Sequence, residues 1–148
     1  MPKNISGKEA PLTEFSTARA LSHLKVISAK PHFVGTPAHT EVQQYIVQEL
    51  RKLGLEPQVQ EGFINEEWSG YSNLTKPQNI LARIKGSGNG KALLLMSHYD
   101  SAPHSASHGA SDAGSGVVTI LESVRAYLAG GVTPVNDIII CITDAEEI

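Results

Sequence analysis

Residues 93 to 116 read LLLMSHYDSAPHSASHGASDAGSG, and the rest of the chain is arranged around them. The uncharged apolar run Ala92 to Met96 predicts a short strand buried on both faces. It stops at Ser97, and His98, Tyr99 and Asp100 follow at once. Open α/β sheets carry their sites outside the carboxyl ends of the strands, so polar chemistry that begins where a buried strand ends marks a candidate site. Asp112 stands further along, ahead of an amphipathic helix predicted from Val117, Ile120, Leu121, Val124 and Leu128 and closed by Gly130 and Gly131. A second apolar run, Asp137 to Thr143, ends in Asp144, Ala145, Glu146 and Glu147. Strand, helix and strand make a βαβ unit with parallel strands, so both strand ends deliver their polar residues to one edge.

Working back toward the N-terminus, Gln78 to Lys85 predicts another strand, which the turn Gly86 to Gly90 joins to the central one as an antiparallel hairpin. Asn65 to Pro77 reads as a loop whose Trp68 and Tyr71 either line a groove or pack the loop down. Leu55 to Ile64 predicts a strand that Pro57 assigns to a sheet edge. Before it, Thr36 caps a helix with Pro37 at its first position, an apolar stripe of Val42, Ile46, Leu50 and Leu53, and Gly54 just past its end. Ser16 caps an earlier helix with Ala18, Leu21, Leu24 and Ile27 on its inner face. The expected division is a loose polar lead-in over residues 1–15 and one domain over 16–148.

Composition narrows the function classes. A length of 148 residues suits one domain, and 41% apolar with 18% charged residues is globular. A net charge of -3 with no basic cluster argues against a nucleic-acid partner. The single cysteine, Cys141, permits no disulfide within the chain and reads as a small hydrophobe inside the second strand. Residues 1–15 lack the apolar core of a signal peptide, and no window has the length of a membrane span. Membrane association would come only through segments outside this sequence. Asn4-Ile5-Ser6 and Asn73-Leu74-Thr75 are glycosylation triplets.

Taken singly, these polar residues have ordinary explanations. An Asp before a helix is usually a cap, and a Glu pair after a strand is usually a solvated turn. His104 and His108 read as polar loop residues. Taken together, three elements end in donor-type residues on one side of a sheet, which points to a metal site. His98 and Asp100 lie two apart in extended chain and face the same way, so the carboxylate can accept the second imidazole N–H and orient the ring. Asp112 has two oxygens and can bridge two ions about 3.5–4 Å apart. Adjacent side chains diverge, so Glu146 and Glu147 divide naturally into one ligand and one general base.

The ordered set Ser97-His98-Tyr99-Asp100-Ser101, Gly109 to Val117 and Ile138 to Ile148 resembles the N-terminal half of an M28-family zinc aminopeptidase. Pro31 to His39 and Leu50 to Glu56 match the way such domains begin, so the resemblance spans about residues 17 to 148. It implies an α/β fold, the N-terminal part of a three-layer αβα sandwich with a mixed sheet and helices on both faces. It implies two zinc ions and a peptide substrate. His98 would be a ligand of one zinc with Asp100 as its orienting partner, Asp112 the bridging ligand, Glu146 the general base and Glu147 a ligand of the other zinc. Two positions depart from the family pattern, Ser111 and Ala113 flanking the bridging residue, and neither removes a ligand. The family's remaining acidic ligand and second His are expected beyond Ile148. The chain alone is therefore expected to be an inactive N-terminal portion, with the strand Asp137 to Thr143 lacking its next neighbour and covering helix. The resemblance further implies an extracytoplasmic parent, secreted or membrane-anchored.

Two alternatives belong to other classes. A glutaminyl cyclase uses a similar His, Asp and Glu set with a single zinc, and a peptidase-like binding domain would have no catalysis at all. Such domains usually lose ligands, whereas this sequence keeps each one its half carries. Serine and aspartic hydrolase readings lack their motifs: there is no G-x-S-x-G, and Asp112-Ala113-Gly114 is not Asp-Thr/Ser-Gly.

Overall fold

The computed structural model describes residues 5–68 and 70–148, without the side chains of Trp68 and Tyr71. Asn4 of the first glycosylation triplet and the aromatic pair's side chains thus lie outside the described set. In chain order the elements are α1 (Thr17–Ile27), α2 (Pro37–Lys52), β1 (Gln58–Glu61), β2 (Ile64–Trp68), β3 (Tyr71–Thr75), β4 (Gln78–Ile84), β5 (Leu93–His98), α3 (Ser115–Ala129) and β6 (Ile138–Thr143). A kinked turn, Ala110–Gly114, precedes α3.

Local chemistry starts and stops the first two helices as expected. The Ser16 side chain accepts the Arg19 N–H at 3.2 Å, and Thr36 accepts the His39 N–H at 3.2 Å with Pro37 beside it. At the far end of α2, Gly54 adopts a φ of 80°, and the Gly54 and Leu55 N–H groups return to the Arg51 and Leu50 carbonyls. Val42, Ile46 and Leu50 are buried along α2. On α1 the buried residues are Ala20 and Ile27, with Leu24 packed against them, because that face meets α3. Leu21, expected on the inner face, is exposed.

The four-stranded sheet has the order β1-β4-β6-β5, with β5 and β6 parallel and the other pairs antiparallel. The βαβ unit and the edge position of β1 agree with the sequence reading. The expected β4–β5 hairpin does not form, because β6 runs between those strands. The glycine-rich turn instead docks on the segment before β6: the Ser87 and Gly88 N–H groups donate to the Pro134 and Val135 carbonyls at 2.9 and 2.7 Å. A Cβ at Gly86 would stand 2.5 Å from the Asn136 carbonyl carbon, so glycine there serves a backbone crossing.

Two burial expectations are corrected by the same topology. β6 has neighbours on both sides, and Ile140 and Ile142 are fully buried, each contributing about 2 kcal/mol by leaving water. The edge strand at this end of the sheet is β5, where Leu94 and Met96 are 55% and 63% exposed instead of buried on both faces. Register explains the contrast. Ile80, Ala82, Ile140, Ile142 and Leu95 share one face, which packs with α1, α2 and α3 into a single core. Leu81, Cys141 and Met96 share the other face, on which no helix lies among the described residues. The described residues thus form a mixed sheet with helices on one face, where helices on both faces are expected. Cys141 is half-buried, and burial pushes its thiol up, away from the reactive thiolate.

The segment expected to be a loop, residues 65–77, is largely the antiparallel hairpin β2–β3, in register from Ile64↔Thr75 to Trp68↔Tyr71. Acidic residues at Glu66 and Glu67 dilute the apolar alternation that would have revealed it. The lead-in is not loose over its described part. Arg19 donates to the carbonyls of Lys8, Ala10, Pro11 and Glu14, and Arg125 to those of Leu12 and Glu14. The buried Glu122 carboxylate joins both guanidinium groups, at 3.0 Å from Arg19 Nε and 2.6 Å from Arg125 Nε. Carbonyls of an irregular segment need donors, and two arginines held by one buried acid supply them.

Candidate metal centre

Because β5 and β6 are parallel and His98 is the register partner of Thr143, both strands end level at one edge. The ladder continues one step further, with the Tyr99 N–H donating to the Thr143 carbonyl at 3.0 Å. Asp100 then turns inward and is buried. Its Oδ1 accepts the Glu146 N–H at 3.2 Å and its Oδ2 the Glu147 N–H at 3.1 Å. The same carboxylate lies 3.3 Å from His98 Nδ1, and the Asp100 carbonyl oxygen lies 3.2 Å from that nitrogen. Both acceptors favour a proton on Nδ1 and leave Nε2 to face the site.

Four carboxylates surround that imidazole. His98 Nε2 is 3.1 Å from Asp112 Oδ1 and 3.8 Å from Glu146 Oε2. One donor atom each from His98, Glu146 and Glu147 lie within 4.8 Å of one another. Asp112 touches His98 from the kinked turn with its side chain 80% exposed, and the Asp112–Ala113 peptide is cis. The turn is tied to β5 by the Ser97 hydroxyl, which donates to the Ala113 carbonyl at 3.2 Å. A Cβ at Gly116 would stand 2.5 Å from Ser97 Oγ, so glycine lets α3 start against the strand. His108 is engaged elsewhere, its Nδ1 2.9 Å from the Ser28 carbonyl, and His104 is exposed in the loop.

The electrostatics describe a site short of positive charge. Burial works to depress the His98 pKa, but the Asp112 hydrogen bond and the Asp100 and Glu146 charges outweigh it and raise it. Desolvation raises the Glu147 pKa, as do the charges of Asp112, Asp100 and Glu146, with His98 partly offsetting them. An imidazole nitrogen and convergent carboxylates, held close despite that repulsion, are a fitting donor set for a divalent zinc ion.

Sequence reasoning missed the support behind this edge. His39 Nε2 is 2.7 Å from Asp144 Oδ1, and both side chains are buried. The His39 ring stacks on Tyr99 with centroids 4.8 Å apart. Asp144 also accepts the Gln78 and Ala145 N–H groups at 2.8 and 2.9 Å. Nothing local marks His39, which stands in an ordinary helix first turn 105 residues from its partner. The β2–β3 hairpin approaches this edge as well: Ile64, Glu66, Asn73 and Thr75 line a cavity of about 100 Å³ with Asp144, Ala145 and Ile148.

A mixed α/β sheet that gathers an imidazole and several carboxylates at its parallel strand ends has the fold of the zinc exopeptidases and glutaminyl cyclases. Solved structures agree. A Porphyromonas gingivalis glutaminyl cyclase is 28% identical, with a TM-score of 0.79 over 90% of this chain and 49% of its own. A Zn-dependent exopeptidase from Parabacteroides distasonis is 28% identical, with a TM-score of 0.75 over 93% of this chain and 49% of its own. Among curated proteins, the vacuolar membrane protease of Schizosaccharomyces pombe is 30% identical over 146 residues, which is 92% of this chain and 17% of the relative. The model of peptidase family M28 matches residues 79–148. Over those residues the chain belongs to peptidase family M28. It spans about half the length of those solved chains and about a sixth of the curated relatives.

Proposed function

We propose that the complete protein carrying this chain is a zinc-dependent peptidase that removes residues from the N-termini of peptides. The observation that carries this reading is the convergence of His98, Glu146 and Glu147 donor atoms within 4.8 Å at the ends of two parallel strands. In this reading His98, Asp112 and Glu147 would hold the metal. Asp100 keeps His98 in the tautomer that leaves Nε2 free, and its bonds to the two glutamate N–H groups register the other strand end. Bound zinc supplies Lewis acidity, bringing the pKa of water to about 7 and polarising a carbonyl oxygen. Glu146, more exposed than Glu147, takes a proton from the attacking water and returns it to the departing amine.

The family and the relatives' names support peptidase chemistry, and a vacuolar membrane protease as relative supports an extracytoplasmic, membrane-held parent. Among the described residues no helix is long and apolar enough to cross a membrane, so the anchor would lie in other segments. A second reading, a glutaminyl cyclase using a single zinc, is favoured by the structural likeness to that enzyme class at equal identity. One assay separates them. The complete protein is given a peptide with a free N-terminus, its N-acetylated form, and a peptide beginning with glutamine. An aminopeptidase shortens only the free peptide, stops with a chelator and recovers with zinc. Ammonia release from the glutamine peptide without shortening would support the cyclase, and cleavage of the acetylated form would overturn N-terminal specificity.

A further inference from the structure

Behind the donor cluster lies a buried hydrogen-bonded pair that the proposed chemistry does not use. His39 and Asp144 have side chains 4% and 0% exposed and approach to 2.7 Å. Each end of the pair reaches a different strand terminus. Through its ring His39 stacks on Tyr99, the fully buried residue between His98 and Asp100. Through Nε2 it holds Asp144, which leads into Glu146 and Glu147. Asp144 is further engaged on β4, where it accepts the Gln78 N–H at 2.8 Å while its own N–H donates to Asn79 Oδ1 at 2.9 Å. One imidazole from the first turn of α2 therefore touches both segments that carry candidate ligands.

The backbone between Asp144 and Glu146 gives that contact a purpose. Ala145 sits at φ 63°, in the left-handed region that a Cβ disfavours. Such a conformation persists only where its surroundings over-determine it. Here the Asp144 carboxylate accepts the Ala145 N–H at 2.9 Å, and Asp100 accepts the next two N–H groups. If Asp144 swings away, the first of those restraints is lost and the glutamates lose their register with His98. A purely packing role would be met by any flat ring; holding Asp144 in a buried place needs a donor, and a charge-assisted bond is the strong kind.

We propose that His39 is a positioning residue for the metal centre, bracing Tyr99 against Asp144 so that the two strand ends hold their donors at a fixed spacing. The inference rests on reading that edge as a metal centre, and its first test does not. Amide hydrogen exchange is followed by mass spectrometry on the metal-free complete protein and on two variants. His39→Phe keeps a ring over Tyr99 and removes the donor; His39→Gln keeps a donor and removes the ring. In His39→Phe the amides of 144–147 are expected to exchange about tenfold faster while those of α3 keep their wild-type rate, since local openings are independent of global ones. In His39→Gln protection of 144–147 should be largely retained. Unchanged exchange over 144–147 in His39→Phe overturns the proposal, and so does uniform loss of protection, α3 included, in both variants. In the complete protein, His39→Phe should weaken zinc binding about tenfold, as loss of outer partners of metal ligands does, and lower kcat with KM nearly constant. A complete protein that holds no zinc and cleaves no peptide overturns the metal reading, while the exchange result still decides the brace.

Discussion

Asp100 Oδ1 lies 3.3 Å from His98 Nδ1 while both of its oxygens accept backbone N–H groups from the opposite strand end. One buried carboxylate thus sets an imidazole tautomer and a loop register together. Asp100→Asn keeps the volume but replaces an acceptor oxygen by a donor that faces N–H groups. Zinc affinity of the complete protein, measured by competition with a coloured chelator, should fall about 10–100-fold, with Asp100→Ala at least as damaging.

Glu146→Gln removes a proton acceptor and, in the proposed division of roles, no metal bond. Its zinc content should match the wild type while kcat falls about 10²–10⁴-fold. Metal analysis beside steady-state kinetics checks both halves. Loss of zinc in this variant would mean that Glu146 and Glu147 exchange roles.

Glu122 carries stability instead of chemistry. Desolvation raises its pKa, but bonds from Arg125, Arg19 and the Ser16 N–H outweigh that and lower it. A carboxylate whose folded pKa lies below its unfolded value contributes stability that is present above the unfolded pKa and lost as pH falls through the folded one. The chain should lose thermal stability below about pH 4.5, the ordinary glutamate value. Glu122→Gln should cost about 3 kcal/mol at neutral pH by leaving two guanidinium groups without their acid. It should also flatten the acid limb. Denaturant titrations at several pH values measure both.

The sheet edge makes a different prediction. Leu94 and Met96 expose apolar surface on a strand whose outer edge has no neighbour among the described residues, the arrangement that templates association. The isolated chain should self-associate at micromolar concentrations, and Met96→Lys should shift it toward monomer in sedimentation velocity without changing its circular dichroism.

How much of this was legible depended on distance along the chain. Ser16, Thr36, Pro37 and Gly54 act within a few residues, so helix ends were readable. The parallel pairing of β5 with β6 was readable too, because a helix between two strands leaves few other solutions. His98, Asp100, Asp112, Glu146 and Glu147 were found as candidates because each stands at the end of an element, and the structure brings them to one edge. What sequence could not convey was which neighbours fill the middle of the sheet. A glycine-rich turn after Lys85 looks alike whether it reverses a hairpin or lets another segment cross, as Gly86 does beneath Asn136. His39 and Asp144 share no local pattern, and neither residue type betrays burial.

The strand order has one more consequence, for the sequence of events in folding. The sixth strand in synthesis stands between the fourth and fifth, so β4 and β5 remain without a common partner until Ile138–Thr143 has emerged. Non-local pairing must bear its loop-closure entropy before it is rewarded, and here the reward waits for β6. The strand that joins the sheet is also the one that ends in Asp144, Glu146 and Glu147. Closure of the sheet between β4 and β5 and the meeting of His98 with Glu146 and Glu147 are therefore one event, and a nascent chain that still lacks β6 has neither.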